Sequence, residues 1–354
     1  MTSYLSQKIK RVSFLSIIMV VVLHCYNLDN KQNGIILHFG KDYNWVIQNF
    51  FSYGITRVAV PMFFIISGYL FFLGFTNQKG VLVEKIKKRI KTIVIPYFFW
   101  TIFGVLLYFI MQSIPRLLPF FNKKLVINYT FSDWFNAVFV ELVPYQLWFL
   151  RDLIVMVLLS WLIFFLIKKF KFLLPVVSFW SWFFNQNTVF LSSESILFFS
   201  LGASIALYYP EFLEKTSTKK YLFFLSWMGL VTFKIALLYF FKEEKTIINL
   251  THKTSIILGL LAFWYIYDTL YPKTKRFFLK WDKIFEYSFF IYVFHEPLLT
   301  IIKKTLFLFL GKKVLSYFII YCLSPFITIS ICLITGFVLK KYFKKGYEFS
   351  TGNR

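Results

Sequence analysis

Long apolar runs recur from one end of this sequence to the other, and they constrain its fold more than any other feature. Each is close to the length, about 20 residues, that an α-helix needs to cross the hydrocarbon core of a bilayer. In lipid, a helix satisfies its backbone hydrogen bonds internally. The sequence therefore predicts an all-α, polytopic membrane helix bundle of about ten transmembrane helices, with nine and eleven as alternatives, near residues 12–28, 46–74, 92–113, 146–167, 172–190, 191–209, 221–241, 254–271, 284–302 and 314–339.

The composition is typical of a membrane protein. The chain has 58% hydrophobic and 23% aromatic residues, whereas soluble domains are roughly 45–50% apolar. With 49 Phe and 22 Tyr but only 14 Gly, we expect the helices to pack through aromatic rings rather than through small residues. The three cysteines lie in apolar runs without metal-ligand spacing, so no metal is expected.

The charge distribution predicts the topology. In a soluble protein, a formal net charge of +24 would indicate a nucleic-acid partner. In a membrane protein, the distribution of the cations among the loops indicates the orientation instead. With the N-terminus inside, 25 Lys and Arg residues fall in cytoplasmic segments and 12 in external ones. We therefore expect a multi-pass protein of the inner (plasma) membrane, surrounded by lipid bilayer, with both termini cytoplasmic and no nucleic-acid partner.

No linker, repeat or low-complexity tract divides the chain. We predict one transmembrane domain over residues 1–345, a short cytoplasmic tail over 346–354 and no appended soluble domain.

His24 is the first candidate functional residue, because it lies inside the apolar run of residues 12–27. An ionisable group in a membrane span costs several kcal/mol unless it faces protein or water, so it is by default a functional-site candidate. One alternative is a signal peptide, but no small-residue cleavage site follows. The other is a histidine that is merely hydrogen-bonded between helices.

Three further groups are predicted near the depth of His24. Arg57 lies toward the outer end of the second span, where its forked donors suit an oxyanion, although it could also extend to the headgroups. His295 and Glu296 lie toward the outside of the ninth span. No histidine or carboxylate is spaced i, i+3 or i, i+4 from His24, so a metal site is the weaker interpretation.

A basic cluster, Lys85–Lys91, precedes the third span. Its ordinary explanation is a stop-transfer signal that touches anionic lipid. Its functional explanation is a cytoplasmic mouth in which Lys87, Lys88 and Arg89 hold the phosphates of an acyl carrier such as coenzyme A.

Six motifs, taken in order and spacing over nearly the whole chain, resemble the integral-membrane acyltransferase-3 family, the bacterial surface-polysaccharide O-acyltransferases. They are VVVLH ending at His24, PMFFIISGYLFF at Pro61–Phe72, KKR before Ile95–Tyr97, LWFLRDL at Leu147–Leu153, FFSLGA at Phe198–Ala203 and SFFIYVFHEPL at Ser288–Leu298.

The resemblance implies a roughly ten-helix enzyme that moves acyl groups, usually acetyl from cytoplasmic acetyl-CoA, onto glycan hydroxyls, with His24 as the essential first-helix histidine. Many members carry an arginine eleven residues before that histidine, where this chain has Ser13. Arg11 lies about 200° around the helix from that position and cannot simply substitute. Arg57 or the Lys85–Lys91 cluster then covers that role, or the donor binds differently, or acetylation has been lost.

Our interpretation is an O-acyltransferase in which neutral His24 is the general base and Arg57 binds the developing oxyanion or an anionic acceptor group. Tyr69, His295 and Glu296 are second-tier candidates. A covalent acetyl-histidine relay is equally compatible with these residues. The acceptor is a surface glycan or its lipid-linked precursor, and a separate periplasmic partner could complete transfer. The alternative from another class is a transporter for a glycan or lipid-linked intermediate, without acyl-transfer chemistry.

Overall fold

The computed structural model describes residues 1–28, 31–32, 35–36, 41–75, 80–121, 124–186, 191–311 and 313–353. Almost all regular structure in these residues is helical. The α-helices are α1 Ser3–Cys25, α2 Tyr43–Gln48, α3 Ala59–Phe72, α4 Val81–Arg89, α5 Ile95–Gln112, α6 Phe131–Phe135, α7 Trp148–Leu158, α8 Ser160–Phe170, α9 Leu173–Phe183, α10 Ser193–Tyr208, α11 Lys220–Phe240, α12 Lys245–Trp281, α13 Ser288–Leu310, α14 Val314–Tyr342 and α15 Lys344–Thr351.

Shorter elements connect these helices. Two-residue strands β1 (Lys31–Gln32) and β2 (Ile35–Ile36) pair antiparallel. The π-helical turns are Asn49–Gly54, Ile90–Val94 and Asn136–Val140, and the 3₁₀ turns are Ile55–Val58, Pro115–Phe120, Val126–Asn128, Tyr145–Leu147, Phe212–Glu214 and Ile284–Tyr287.

The all-α, polytopic architecture is confirmed, but the count of ten spans is not. Among the described residues, five helical stretches are long and apolar enough to cross a membrane, and a sixth results if a bent pair is counted as one span. The five are Tyr43–Phe72, Val81–Gln112, Lys220–Phe240, Lys245–Tyr271 and Val314–Tyr342. Helices α1 and α13 have 23 residues each but carry several charged side chains.

Breaks in the helices account for much of the difference. The span predicted at 146–167 contains α7 and most of α8, and the stretches Tyr145–Leu158 and Ser160–Phe170 are bent by 64°. The spans predicted at 172–190 and 191–209 correspond to α9, with 11 residues, and α10, with 16; residues 187–190 lie outside the described part. Helix α13 is kinked at Glu296, where φ is −114° and ψ is 136°, because the residue before a proline avoids the helical region.

The chain forms two units, and the first comprises Met1–Ser67 and Tyr208–Ile334. In this unit α1 packs against α13 and against residues 49–58, while α11 pairs with α12. Gly259 of α12 lies so close to its neighbours that an added Cβ would come within 2.5 Å of Val58 and 2.6 Å of Trp227. The turn at residues 55–58 is therefore packed closely against α12.

Two cations near the start of α1 are buried. The Lys8 ammonium donates to Asp268 at 2.6 Å and lies 4.4 Å from the centre of the Trp264 ring. Arg11 donates to the Tyr267 hydroxyl at 3.1 Å and to Asp282 at 3.3 Å. These cations, which the topology count treats as surface charges, thus tie α1 to α12 and the residue after it.

The second unit comprises Gly68–Leu207 and Thr335–Arg354. Its last helix, α15, packs against α5, and the Trp100 indole donates to the Ser350 carbonyl at 2.8 Å. The tail predicted at 346–354 is thus largely helical and packed within this unit. Its cytoplasmic location stays a prediction, and Arg354 lies outside the described residues.

Candidate active site

His24 lies in the last turn of α1, where the carbonyl groups have no partner within the helix. The Lys303 ammonium of α13 donates to the His24 carbonyl at 2.6 Å. His24 itself is partly accessible, although Val21 and Cys25 beside it are completely buried. The hydrogen bond from Lys303 therefore fixes the backbone of His24.

His295 of α13 is completely buried beside His24. The two rings lie 5.5 Å apart between centroids, with planes inclined by 27°. Nδ1 of His295 lies 2.7 Å from the Tyr292 carbonyl and 3.1 Å from that of Ile291. Since a carbonyl only accepts, Nδ1 carries the proton, and in the neutral ring Nε2 is an acceptor. Nε2 is buried and has no hydrogen-bond partner among the described residues.

Glu296 adjoins His295 at the kink of α13. Its side chain is buried, and its Oε2 accepts a hydrogen bond from the Thr300 hydroxyl at 2.8 Å. The carboxylate is thus held toward the C-terminal half of α13, and its charge acts on the His295 ring.

A buried amide cluster supports the chain just after His24. Gln48 accepts a hydrogen bond from the Asn27 backbone at 3.1 Å and donates to the side chains of Asn27 and Asn44 at 2.8 and 2.7 Å. Asn27 in turn donates to the Tyr317 carbonyl at 3.0 Å. These bonds join the end of α1 to α2 and α14, so they set the direction in which the chain leaves His24.

Arg57 brings positive charge to the same unit. Its charge and that of Lys303 act on His24. The guanidinium carbon lies 5.0 Å from the centre of the Tyr53 ring, and the buried Nε has no hydrogen-bond partner in the described part of the chain. Arg57 therefore retains donor capacity for a bound group.

The sequence-predicted residues divide between the two units. His24, Arg57, His295 and Glu296 all belong to the first, where the charge of Arg57 acts on His24 and that of Glu296 on His295. Tyr69, buried in α3, and the α4 residues Lys87, Lys88 and Arg89 belong to the second. Lys87 and Lys88 are exposed and Arg89 is partly buried. The roles of all these residues stay predictions.

Three basic residues near this site were not predicted. Lys303 lies within α13. Lys234 lies in α11 and His252 in α12. The sequence does contain one indication. Lys234 lies toward the end of one apolar run and His252 toward the start of the next, so the two can meet where the runs are connected. Among the described residues, no group of three or more His, Cys, Asp or Glu side chains could hold a metal ion.

Comparison with known proteins covers most of the chain. Residues 14–337, which include His24, Arg57 and His295, match the sequence model of a family described as an acyltransferase domain. The succinoglycan biosynthesis protein ExoH of Rhizobium meliloti (strain 1021) is 25% identical over 320 residues, which cover 87% of this chain and 82% of that protein. No solved structure matches.

Proposed function

Because this chain belongs to the acyltransferase-3 family of membrane acyltransferases, we propose that it moves an acyl group from an acyl-CoA donor to a hydroxyl of a surface glycan or its lipid-linked precursor. The observation that carries the proposal is the pairing of accessible His24 with buried His295 beside the charges of Lys303 and Arg57. The glycan acceptor is suggested by a relative that takes its name from succinoglycan biosynthesis. Acetyl is the acyl group that we propose.

His24 is the general base of the proposed reaction. In its neutral form it accepts the proton of the acceptor hydroxyl while that oxygen attacks the thioester carbonyl. The carbon–sulfur bond then breaks, the ester forms, and the coenzyme A thiolate takes the proton from His24, which returns to its neutral form. Arg57 stabilises the negative charge that develops on the carbonyl oxygen.

His295 is a positioning residue in this scheme. Its Nδ1–H is committed to the α13 backbone, which fixes the orientation of the ring against which His24 lies. A ring fixed in this way restricts the rotation of the His24 imidazole, and orientation of a catalytic group contributes to rate.

Lys87, Lys88 and Arg89 are proposed to hold the phosphates of acetyl-CoA. The neighbouring Lys85 is already occupied, since its ammonium donates to the Phe71 and Leu73 carbonyls at 2.7 and 3.0 Å. The exposed Lys87 and Lys88 make no such bonds among the described residues, which leaves their charge for a soluble polyanion. We place the protein in the inner membrane with α4 and both termini on the cytoplasmic side, where acyl-CoA is available.

A transfer assay tests this function. Membranes that contain the protein are supplied with acetyl-CoA labelled in the acetyl group. Label should enter the glycan fraction with wild-type protein and not with His24→Ala present at the same level in the membrane. Glycan export without any transfer of label would overturn the proposal in favour of a transporter.

A further inference from the structure

Lys234 is a buried cation in the interior of α11, with 5% of its surface exposed. Its ammonium donates to the Tyr53 carbonyl at 2.6 Å and lies 3.1 Å from Nδ1 of His252 in α12. An ammonium has three donors and no acceptor, so Nδ1 of His252 accepts this bond. Within the described part of the chain, one donor of Lys234 remains without a partner.

His252 also retains a donor. With Nδ1 accepting from Lys234, the proton of the neutral ring is on Nε2. No hydrogen bond from this nitrogen exists in the described residues. Arg57 is a third donor group, because its guanidinium makes no hydrogen bond in the same part of the chain and its charge acts on both Lys234 and His252.

Among the described residues, no acidic side chain forms an ion pair with any of these three side chains. The other charges that act on Lys234 and His252, within the described residues, are cationic and come from Arg57 and Lys253. By contrast, the buried cations at the start of α1 are paired, Lys8 with Asp268 and Arg11 with Asp282. Uncompensated positive charge inside a membrane protein is costly unless something balances it.

We propose that Arg57, Lys234 and His252 bind an oxyanion, a carboxylate or a phosphate, that the acceptor substrate carries. The inference rests on the proposed function, since an anchored anionic group would bring the acceptor hydroxyl toward His24. Arg57 can contribute both to the anion site and to the reaction beside His24. Its guanidinium has five N–H donors, and its charge acts on His24 as well as on Lys234. The acceptor is thereby an acidic sugar or a glycan on a phosphate linker.

Two probes distinguish the sources of the anion: sodium glucuronate for a sugar carboxylate and sodium pyrophosphate for a phosphate linker. Each is titrated into the purified full-length protein in detergent at constant ionic strength, and the rise in melting temperature gives the half-saturating concentration. We expect one probe to stabilise the wild type while uncharged glucose does not. Lys234→Met should raise the half-saturating concentration of that probe by about tenfold or more, since it removes a charge-assisted hydrogen bond.

Lys242→Met is the matched control, because it removes the same charge from an exposed position shortly after α11; it should leave the half-saturating concentration unchanged. If Lys234→Met does not give a monodisperse protein, His252→Asn replaces it: the amide oxygen of Asn offers Lys234 an acceptor in place of Nδ1, but the Nε2–H donor is lost, so binding of the same probe should weaken. The inference is overturned if neither probe stabilises the wild type, or if the control loses binding equally.

Binding is measured without donor, so its outcome is separate from that of the proposed function. Absence of acetyl transfer with intact, Lys234-dependent binding would overturn the proposed function and leave the anion site. Normal transfer with no probe binding would overturn the anion site alone.

Discussion

The imidazole of His295 lies against that of His24, with 5.5 Å between ring centroids, and its Nδ1–H is held by the backbone of its own helix. His24 is partly accessible, whereas His295 is completely buried and its ring is fixed by these backbone contacts. In the proposed mechanism, His24 is the reacting group and His295 is the group that orients it.

If His24 and Arg57 act in one step, the effects of their substitutions should not add. His24→Ala should abolish acetyl transfer, Arg57→Ala should reduce it severely, and the double variant should be little worse than His24→Ala. Arg57→Lys should remain impaired, because a point charge lacks the planar fork. Initial rates in membranes with matched protein levels measure this. Normal transfer by a stable His24→Ala protein would show that another group, with His295 the first candidate, is the base.

Lys303 should matter through its bond to the His24 carbonyl. Lys303→Met removes a charge-assisted hydrogen bond, worth about 1.5–3 kcal/mol when partly buried, and frees the last turn of α1. We expect acetyl transfer to fall about tenfold or more while the protein remains in the membrane. Lys313→Met, at an exposed position just before α14, should transfer normally. Equal rates for both variants would indicate that the bond does not position His24.

The α4 cluster should act on donor affinity. Conversion of Lys87, Lys88 and Arg89 together to Gln should raise the KM for acetyl-CoA with a smaller effect on kcat, because phosphate contacts remote from the thioester contribute to binding in both ground and transition states. Steady-state kinetics at several acetyl-CoA concentrations checks this. An unchanged KM together with reduced membrane insertion would support a stop-transfer role.

Gly68 should be intolerant of even a methyl group. A Cβ there would clash with the Phe199 carbonyl of α10 within the second unit, so the two helices must separate. Gly68→Ala should lower the free energy of unfolding by about 3 kcal/mol, the upper range for overpacking. Gly229→Ala, also in a helix but with open space around it, should be neutral or stabilising by up to about 1 kcal/mol. Melting temperatures in detergent compare them, and equal values would contradict the close approach.

The split of 25 against 12 cations predicts the orientation. A reporter that is active only in the cytoplasm should be active after Asn353 and within the segment before α4. A reporter active only in the periplasm should be active between α11 and α12. Periplasmic activity of the C-terminal fusion would reverse the orientation, and with it the assignment of α4 to the donor side.

The sequence predicted part of the candidate site. An ionisable side chain in an apolar run is energetically costly in a membrane, so its presence there indicates a functional residue. His24, Arg57, His295 and Glu296 were found in this way, and the structure brings them into one unit. What the sequence could not provide was the partner of each group. Lys303 meets the His24 carbonyl from a helix that lies 279 residues further along the chain, and no local pattern specifies such a contact.

Hydropathy predicted the helical, membrane-spanning class but not the number of spans. It averages over a window, so it does not register the bend near Leu159 that divides one apolar run into two helices. The count of cations by loop treated Lys8 and Arg11 as solvent-exposed charges. In the structure, each is buried against a carboxylate from a distant segment. The 25 cations assigned to cytoplasmic segments therefore include two that are buried rather than solvated.

The bond between Trp100 and Ser350 joins residues separated by 250 positions. Gly352 ends α15 in a left-handed conformation, φ 69°, where an added Cβ would come within 2.6 Å of the Thr92 backbone. At roughly 5–20 residues per second of synthesis, the turn that holds Thr92 waits on the order of 10–50 s for this partner. The surface under α15 is therefore without this partner while the residues between Thr92 and Gly352 are being synthesised.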